Sequence, residues 1–207
     1  MTDQTAFIPR KSPAQRRSRE TVETILEAAA RVLEAAGPAG FNTNAVAARA
    51  GVSVGSLYQY FPSKNALVAE LSRRGAEAML AALEAAMAED GARTLEQDLR
   101  RIVRAAIGWQ TARPQLERAL DQMEERVGFD SAAHGVGLRV QTLIARLLAA
   151  HLPGAAPDQL NEAAADSLSL ARTLIDRAVE RGPIEARALE DRLVGMLIGY
   201  LGALPRP

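Results

Sequence analysis

The residues of this sequence best suited to chemistry on a partner lie between Thr43 and Lys64, in TNAVAARAGVSVGSLYQYFPSK. Tyr58 and Tyr60 carry hydroxyls that can reach phosphate oxygens, and Gln59 between them carries an amide able to pair with a base edge. Gly55 and Ser56 are small enough for the start of that segment to approach bases closely. Lys64 opens a further helix, where backbone N–H groups and the helix dipole also favour a phosphate. Catalysis has less to work with. The two histidines, His134 and His151, stand on different segments, and His151 ends a helix, where a cation suits the dipole. Glu124 and Glu125 point in different helical directions and read as solvated surface. No HExxH, phosphate-cradling glycine loop or nucleophile elbow occurs. The chain is expected not to be an enzyme and to need no cofactor or metal.

The elements that must position these side chains can be read from their flanks. Asn42 or Thr43 can cap a first helix over Ala45–Ala50 by accepting an orphan backbone N–H. Gly51 ends it, since glycine enters the left-handed conformation without steric cost. Ser53 can cap a second helix reaching Tyr60, Pro62 stops that helix, and Ser63 can cap the next. Leu57 and Phe61 point to the core. Helix, glycine turn, helix is the plan of the DNA-reading helix-turn-helix, whose second helix enters the major groove. The same spacing also fits an ordinary helical hairpin with surface tyrosines.

GVSVGSLYQYFPSK, with TNAVAARA before it, closely resembles the signature of the TetR family of bacterial transcriptional regulators. The resemblance covers about Thr21 to Leu71. It implies an all-α homodimer with an N-terminal three-helix DNA-binding domain and a larger C-terminal helical domain that binds a ligand and dimerises. Carried over by position, Thr43, Asn44, Val54, Gly55, Ser56, Tyr58, Gln59, Tyr60 and Lys64 form the DNA-contacting set. The domains expected on this basis are a flexible basic arm over 1–17, the helix-turn-helix domain over 18–62 and the ligand-binding and dimerisation domain over 63–207.

Composition is compatible with that division. With 207 residues, 48% hydrophobic and 24% charged, the chain has ample length for a core and the balance of a soluble protein. Cysteine is absent, which excludes disulfides and thiolate metal sites and fits a cytoplasmic location. No signal peptide is visible. The longest uncharged apolar run, Leu193–Pro205, falls short of the roughly 20 helical residues that span a bilayer, so no membrane partner is expected. Net charge is zero, but residues 1–64 hold eight Lys and Arg against five Asp and Glu. Arg10, Lys11, Arg16, Arg17 and Arg19 concentrate it before the hairpin, where an arm could follow phosphates or a minor groove. Arg17 is the candidate contact, whereas residues 1–14 read as a solvated leader.

Along the rest of the chain, periodicity and punctuation predict about nine helices. Ser18–Ala36 carries Val22, Ile25, Ala29, Val32, Leu33 and Ala36 on one stripe, broken by Gly37, Pro38 and Gly40. A long helix should run from Ser63 to Glu89. Thr94 with Gln97 forms a capping box, followed by Leu95, Leu99, Ile102, Ala106 and Trp109 on an inward face. Pro114 opens a helix whose inner face is Leu116, Leu120 and Met123. Residues 130–137 are ambiguous, Leu138–His151 is helical, and two last helices cover 158–181 and 183–204. Gly195, Gly199 and Gly202 in the last helix cost helix stability and point to close approach by another helix. The last pair therefore reads as half of an intermolecular four-helix bundle, with Leu168, Ile175, Gly195, Gly199 and Tyr200 at the interface, or else as packed within the chain.

The leading reading is a sequence-specific DNA-binding regulator, a homodimeric repressor whose partners are double-stranded DNA bearing a palindromic operator and a small apolar or amphipathic effector. Activation instead of repression stays open. The effector is expected between the long helix and its three successors, lined by Met79, Leu83, Met87, Ile102, Ile107, Trp109, Leu116, Leu120, Met123 and Leu143. Gln110, Gln122, His134 and Gln141 would orient it. Ordinary core is the competing fate of each apolar residue. A helical interaction protein that keeps the hairpin as scaffold is the other class, separated by whether specific, salt-sensitive DNA binding exists.

Overall fold

A computed structural model of the chain describes residues 16–88, 91–127 and 135–204. Among these residues the fold is all-α, with nine helices and no strand. They are α1 (Arg16–Gly40), α2 (Thr43–Ala50), α3 (Val54–Tyr60), α4 (Lys64–Met87), α5 (Leu95–Ala112), α6 (Pro114–Val127), α7 (Val136–His151), α8 (Pro157–Glu180) and α9 (Ala186–Gly202). No helix among the described residues is long and apolar enough to cross a membrane.

The chain packs as two compact units, Met1–Gly75 with Gln115–His134, and Ala76–Pro114 with Gly135–Pro207. These units do not coincide with the limits expected from sequence. The boundary falls inside α4 instead of before it, and α6 joins the first unit. Arg16 and Arg17, assigned to the arm, belong to α1.

The first unit is built on α1. Val22, Ile25, Leu26, Ala29, Val32 and Leu33 recur every three or four residues and are buried, while Ala36, expected on that stripe, is exposed. The helical run is interrupted at Gly37, whose φ of 62° lies in the left-handed region, and Phe41 turns back under the hairpin, 3% exposed. Val46, Ala47, Leu57, Phe61, Ala66 and Leu67 complete the core, and Leu116, Ala119, Leu120 and Met123 of α6 lie in the same cluster. Each large aliphatic or aromatic side chain so buried contributes about 1.5–3 kcal/mol.

The second unit has one apolar cluster. α5 contributes Leu99, Ile102, Val103 and Ile107; α7 contributes Val136, Val140, Ile144 and Leu148; α8 and α9 add Ala163, Ile175, Leu193 and Leu197. Thr94 and Gln97 form the expected capping box, with Gln97 N donating to Thr94 Oγ1 at 3.3 Å and Thr94 N to Gln97 Oε1 at 2.9 Å. Charged pairs tie helices together around the apolar centre. Arg104 makes two 2.9 Å hydrogen bonds to Glu190, and Arg100 meets Asp191 at 2.5 Å, joining α5 to α9. Hydrogen bonds from Arg104 hold the Glu190 carboxyl below the usual carboxylate range, against the opposing effect of burial. His151 Nε2 lies 2.8 Å from Asp98 Oδ2, so the end of α7 meets the start of α5. Burial would raise the Asp98 carboxyl, but hydrogen bonds with His151 and Arg93 outweigh it and hold the group low. α9 begins at Ala186, not Pro183, because Ile184 packs against the cluster and the chain stays extended through Glu185.

Candidate nucleic-acid interface

The hairpin is assembled by local caps. Asn42 Oδ1 accepts from Ala45 N at 2.9 Å, so Asn42, one of the two alternatives, caps α2. Gly51, at φ 68° and ψ 29°, closes α2 by donating its N–H to the carbonyls of Ala47 and Ala48. Ser53 Oγ accepts from Ser56 N at 3.0 Å and starts α3, and Ser63 Oγ accepts from Ala66 N at 3.1 Å and starts α4. Leu57 is fully buried and pins α3 to the core by its opposite face.

That anchoring turns one face of α3 outward. Val54, Gly55, Tyr58 and Gln59 are exposed, at positions three and four apart. The Tyr58 hydroxyl lies 3.2 Å from Thr43 Oγ1, so the start of α2, with exposed Asn44, borders the same face. Lys64 is exposed at the first position of α4. Six of the expected DNA-contacting residues, Asn44, Val54, Gly55, Tyr58, Gln59 and Lys64, are thus exposed in the hairpin and its exit, with half-buried Thr43 beside them. Two others are placed differently. Ser56 is half-buried with its hydroxyl 2.8 Å from Ser53 Oγ. Tyr60 packs its ring against the first cluster and sets its hydroxyl 3.2 Å from Ser18 Oγ, which joins α3 to α1. Arg17 lies in the first turn of α1. Arg49, outside the set carried over from the resemblance, is an exposed cation in the last turn of α2. Its signal, one charged residue in an otherwise alanine-rich helix, was in plain view.

The residues expected to line an effector site fall in two different apolar clusters. Met79, Leu83, Met87, Ile102, Ile107 and Leu143 belong to the cluster of the second unit, whereas Leu116, Leu120 and Met123 are buried in the core of the first. The α6 stripe is apolar, as its spacing predicts, and it is buried in the same cluster as the residues that hold the hairpin. Trp109 is half-buried, and the fully buried stripe of α5 runs instead through Leu99, Ile102, Val103 and Ile107. Gln110 Nε2 donates to Asp176 at 3.1 Å and Gln141 Nε2 donates to the Asn161 carbonyl at 3.0 Å, so both amides link helices of the second unit. Gln122 is exposed, and His134 lies outside the described residues. A cleft of about 600 Å³ between α5 and α9 is lined by Arg100, Arg104, Ile107, Thr111, Glu190 and Asp191 among others, and of the expected effector residues only Ile107 reaches it. No group of three metal-binding side chains occurs among the described residues.

Of the five interface candidates, Ile175 is 4% exposed within the single chain and serves its core, which removes it from a face open to a partner. Leu168 is half-buried against the same cluster. Gly195 and Gly199 are exposed, and a Cβ at either would meet no atom within 4 Å. Among the described residues nothing therefore requires those glycines. Met196, 45% exposed, stands beside them. Tyr200 is half-buried and donates its hydroxyl to Asp166 Oδ2 at 2.5 Å.

Comparison with known proteins agrees with this architecture. Residues 25–71 match the profile described as "Bacterial regulatory proteins, tetR family", and residues 94–201 match "Tetracyclin repressor-like, C-terminal domain". No curated protein matches. Among solved structures, a TetR-like transcriptional regulator from Rhodococcus sp. RHA1 is 25% identical, with 92% of this chain and 99% of that one covered and a TM-score of 0.68. A putative transcriptional regulator from Pseudomonas aeruginosa PAO1 is 20% identical over 92% and 94%, with a TM-score of 0.73. The transcriptional regulator FadR from Bacillus subtilis, in complex with stearoyl-CoA, is 16% identical over 86% and 97%, with a TM-score of 0.71.

Proposed function

Since this chain belongs to the TetR family and is a DNA-binding regulator of transcription, we propose that it acts as a homodimeric repressor that a small apolar or amphipathic ligand releases from a palindromic operator. The observation that carries the DNA-reading half is the outward face of α3, with Val54, Gly55, Tyr58 and Gln59 exposed beside Thr43 and Asn44. Gln59 and Asn44 address base edges, while Tyr58 and Lys64 address phosphates. Two such helices on a dimer would read half-sites about one helical turn, roughly 34 Å, apart.

Dimerisation is supported by α9. Glycine in a helix interior costs about 1 kcal/mol against alanine, and packing among the described residues gives no return for Gly195 or Gly199. Close approach by the same helix of a second copy would supply it. For the effector, the stearoyl-CoA held by the Bacillus subtilis protein makes that compound a suitable probe of the apolar or amphipathic class. Release then requires the effector to bind the DNA-incompetent conformation more tightly, since equal affinity for both states shifts nothing.

Sedimentation of the full chain and of Gly199→Leu tests the assembly. A wild-type dimer and a folded monomeric variant are expected, because a Cβ at Gly199 meets no atom within 4 Å among the described residues, whereas the larger side chain would meet the partner across the interface. A wild-type monomer would refute the homodimer, and a variant that dimerises normally would move the interface off this face. Mobility shift of operator DNA with and without stearoyl-CoA tests release, and retention of the complex at saturating probe would reject this ligand class.

A further inference from the structure

The outward face of α3 has the sequence VGSLYQY behind it and contains no charged residue. We infer that the operator half-site consists of A·T pairs at the positions faced by Val54, Gln59 and Asn44, an inference that rests on the DNA-reading role proposed above. Guanine is most often read by Arg or Lys placed bidentate on its O6 and N7, and α3 offers neither. Three of its four polar side chains are already engaged. Ser56 Oγ is 2.8 Å from Ser53 Oγ, the Tyr58 hydroxyl is 3.2 Å from Thr43, and the Tyr60 hydroxyl is 3.2 Å from Ser18. The Gln59 amide is exposed and makes no hydrogen bond among the described residues, and the same holds for Asn44 at the adjoining start of α2. Val54, 37% exposed, adds two methyl groups at the first position of α3. A carboxamide pairs bidentate with adenine N7 and N6, and apolar side chains contact the thymine methyl. The exposed cations that flank α3 in sequence, Arg49 and Lys64, stand at the end of α2 and the start of α4, off the reading helix, where they suit phosphates. The side chains left free on this surface therefore match the two edges of an A·T pair and lack the group that reads guanine.

Selection of duplexes from a randomised pool by the full-length protein provides the test, followed by base analogues in the winning duplex. The expected half-site has adenine at the position that Gln59→Ala flattens, with affinity reduced roughly 5- to 150-fold. Replacing that adenine by 7-deazaadenine, which lacks the N7 acceptor, should cause a loss of similar size, and combining it with Gln59→Ala should add little. Deoxyuridine in place of the facing thymine should weaken wild type by roughly fourfold, the worth of one buried methyl, and Val54→Ala hardly at all. Guanine or cytosine at the position that Gln59→Ala flattens would overturn the A·T assignment while leaving α3 as the reading helix. A selected sequence to which Gln59→Ala, Asn44→Ala and Val54→Ala all bind like wild type would overturn the reading surface and the inference with it.

Discussion

Tyr200 illustrates how much one side chain's partner matters. Its hydroxyl donates to the Asp166 carboxylate, and that bond, helped by burial, pushes its pKa from the ordinary 10.0 up to about 12. A pKa raised on folding means that the neutral phenol is the stabilising form. Its contribution is complete below the unfolded value near 10 and disappears as pH rises from there to about 12. Ultraviolet titration of the phenolate should therefore show one of the three tyrosines ionising near 12, and Tyr200→Phe should remove that step. Loss of a step near the ordinary 10.0 in Tyr200→Phe, with none near 12 in the wild type, would separate Tyr200 from Asp166. Local side-chain bonds were legible in the sequence because their partners are three residues away. Asn42, Ser53, Ser63 and the Thr94–Gln97 box all cap as read. The Tyr60–Ser18 contact, 42 residues apart, leaves no local trace, so the sequence alone offers Tyr60 only as a DNA-facing hydroxyl.

Helix existence follows from periodicity and from Gly and Pro punctuation, and the nine helices fall close to where these signals put them. What an apolar stripe packs against is a different kind of fact. Leu116, Leu120 and Met123 recur at helical spacing whether they line a ligand cavity or fill a core, and only the fold decides that α6 closes the unit containing the reading hairpin. Leu120 is 3% and Met123 4% exposed there, so truncation leaves a cavity in that core. Leu120→Ala and Met123→Ala should each cost about 2–5 kcal/mol of stability. Urea unfolding read alongside operator binding checks this, with stability and DNA affinity expected to fall together. Unaltered unfolding with a changed effector response would instead make these residues part of a ligand site. The glycines of α9 carry the complementary lesson. Their cost to the helix is visible in the sequence, but only coordinates show that no described residue stands within 4 Å of a Cβ placed there.

At the scale of the whole molecule, zero net charge conceals an excess of three positive charges in residues 1–64. DNA affinity should accordingly depend on salt through a small number of phosphate contacts, since each neutralised phosphate contributes about −0.9 to the slope of log K against log salt on duplex DNA. Lys64 is exposed at the first position of α4, where its own charge, the helix dipole and free backbone N–H groups all favour the same anion. Lys64→Ala leaves the reading face of α3 intact, so it should weaken selected and random duplexes alike. The change in slope then counts the chains on the DNA. A dimer with both reading units engaged loses two contacts, and the slope should become shallower by about 1.8, twice the single-phosphate value. A single bound unit would lose only about 0.9. Titrating the same duplex from low to high salt with both proteins separates these cases: a difference near the larger value supports a dimer on a palindrome, a difference near the smaller one means that a single unit meets the DNA, and parallel lines would remove Lys64 from the phosphates altogether.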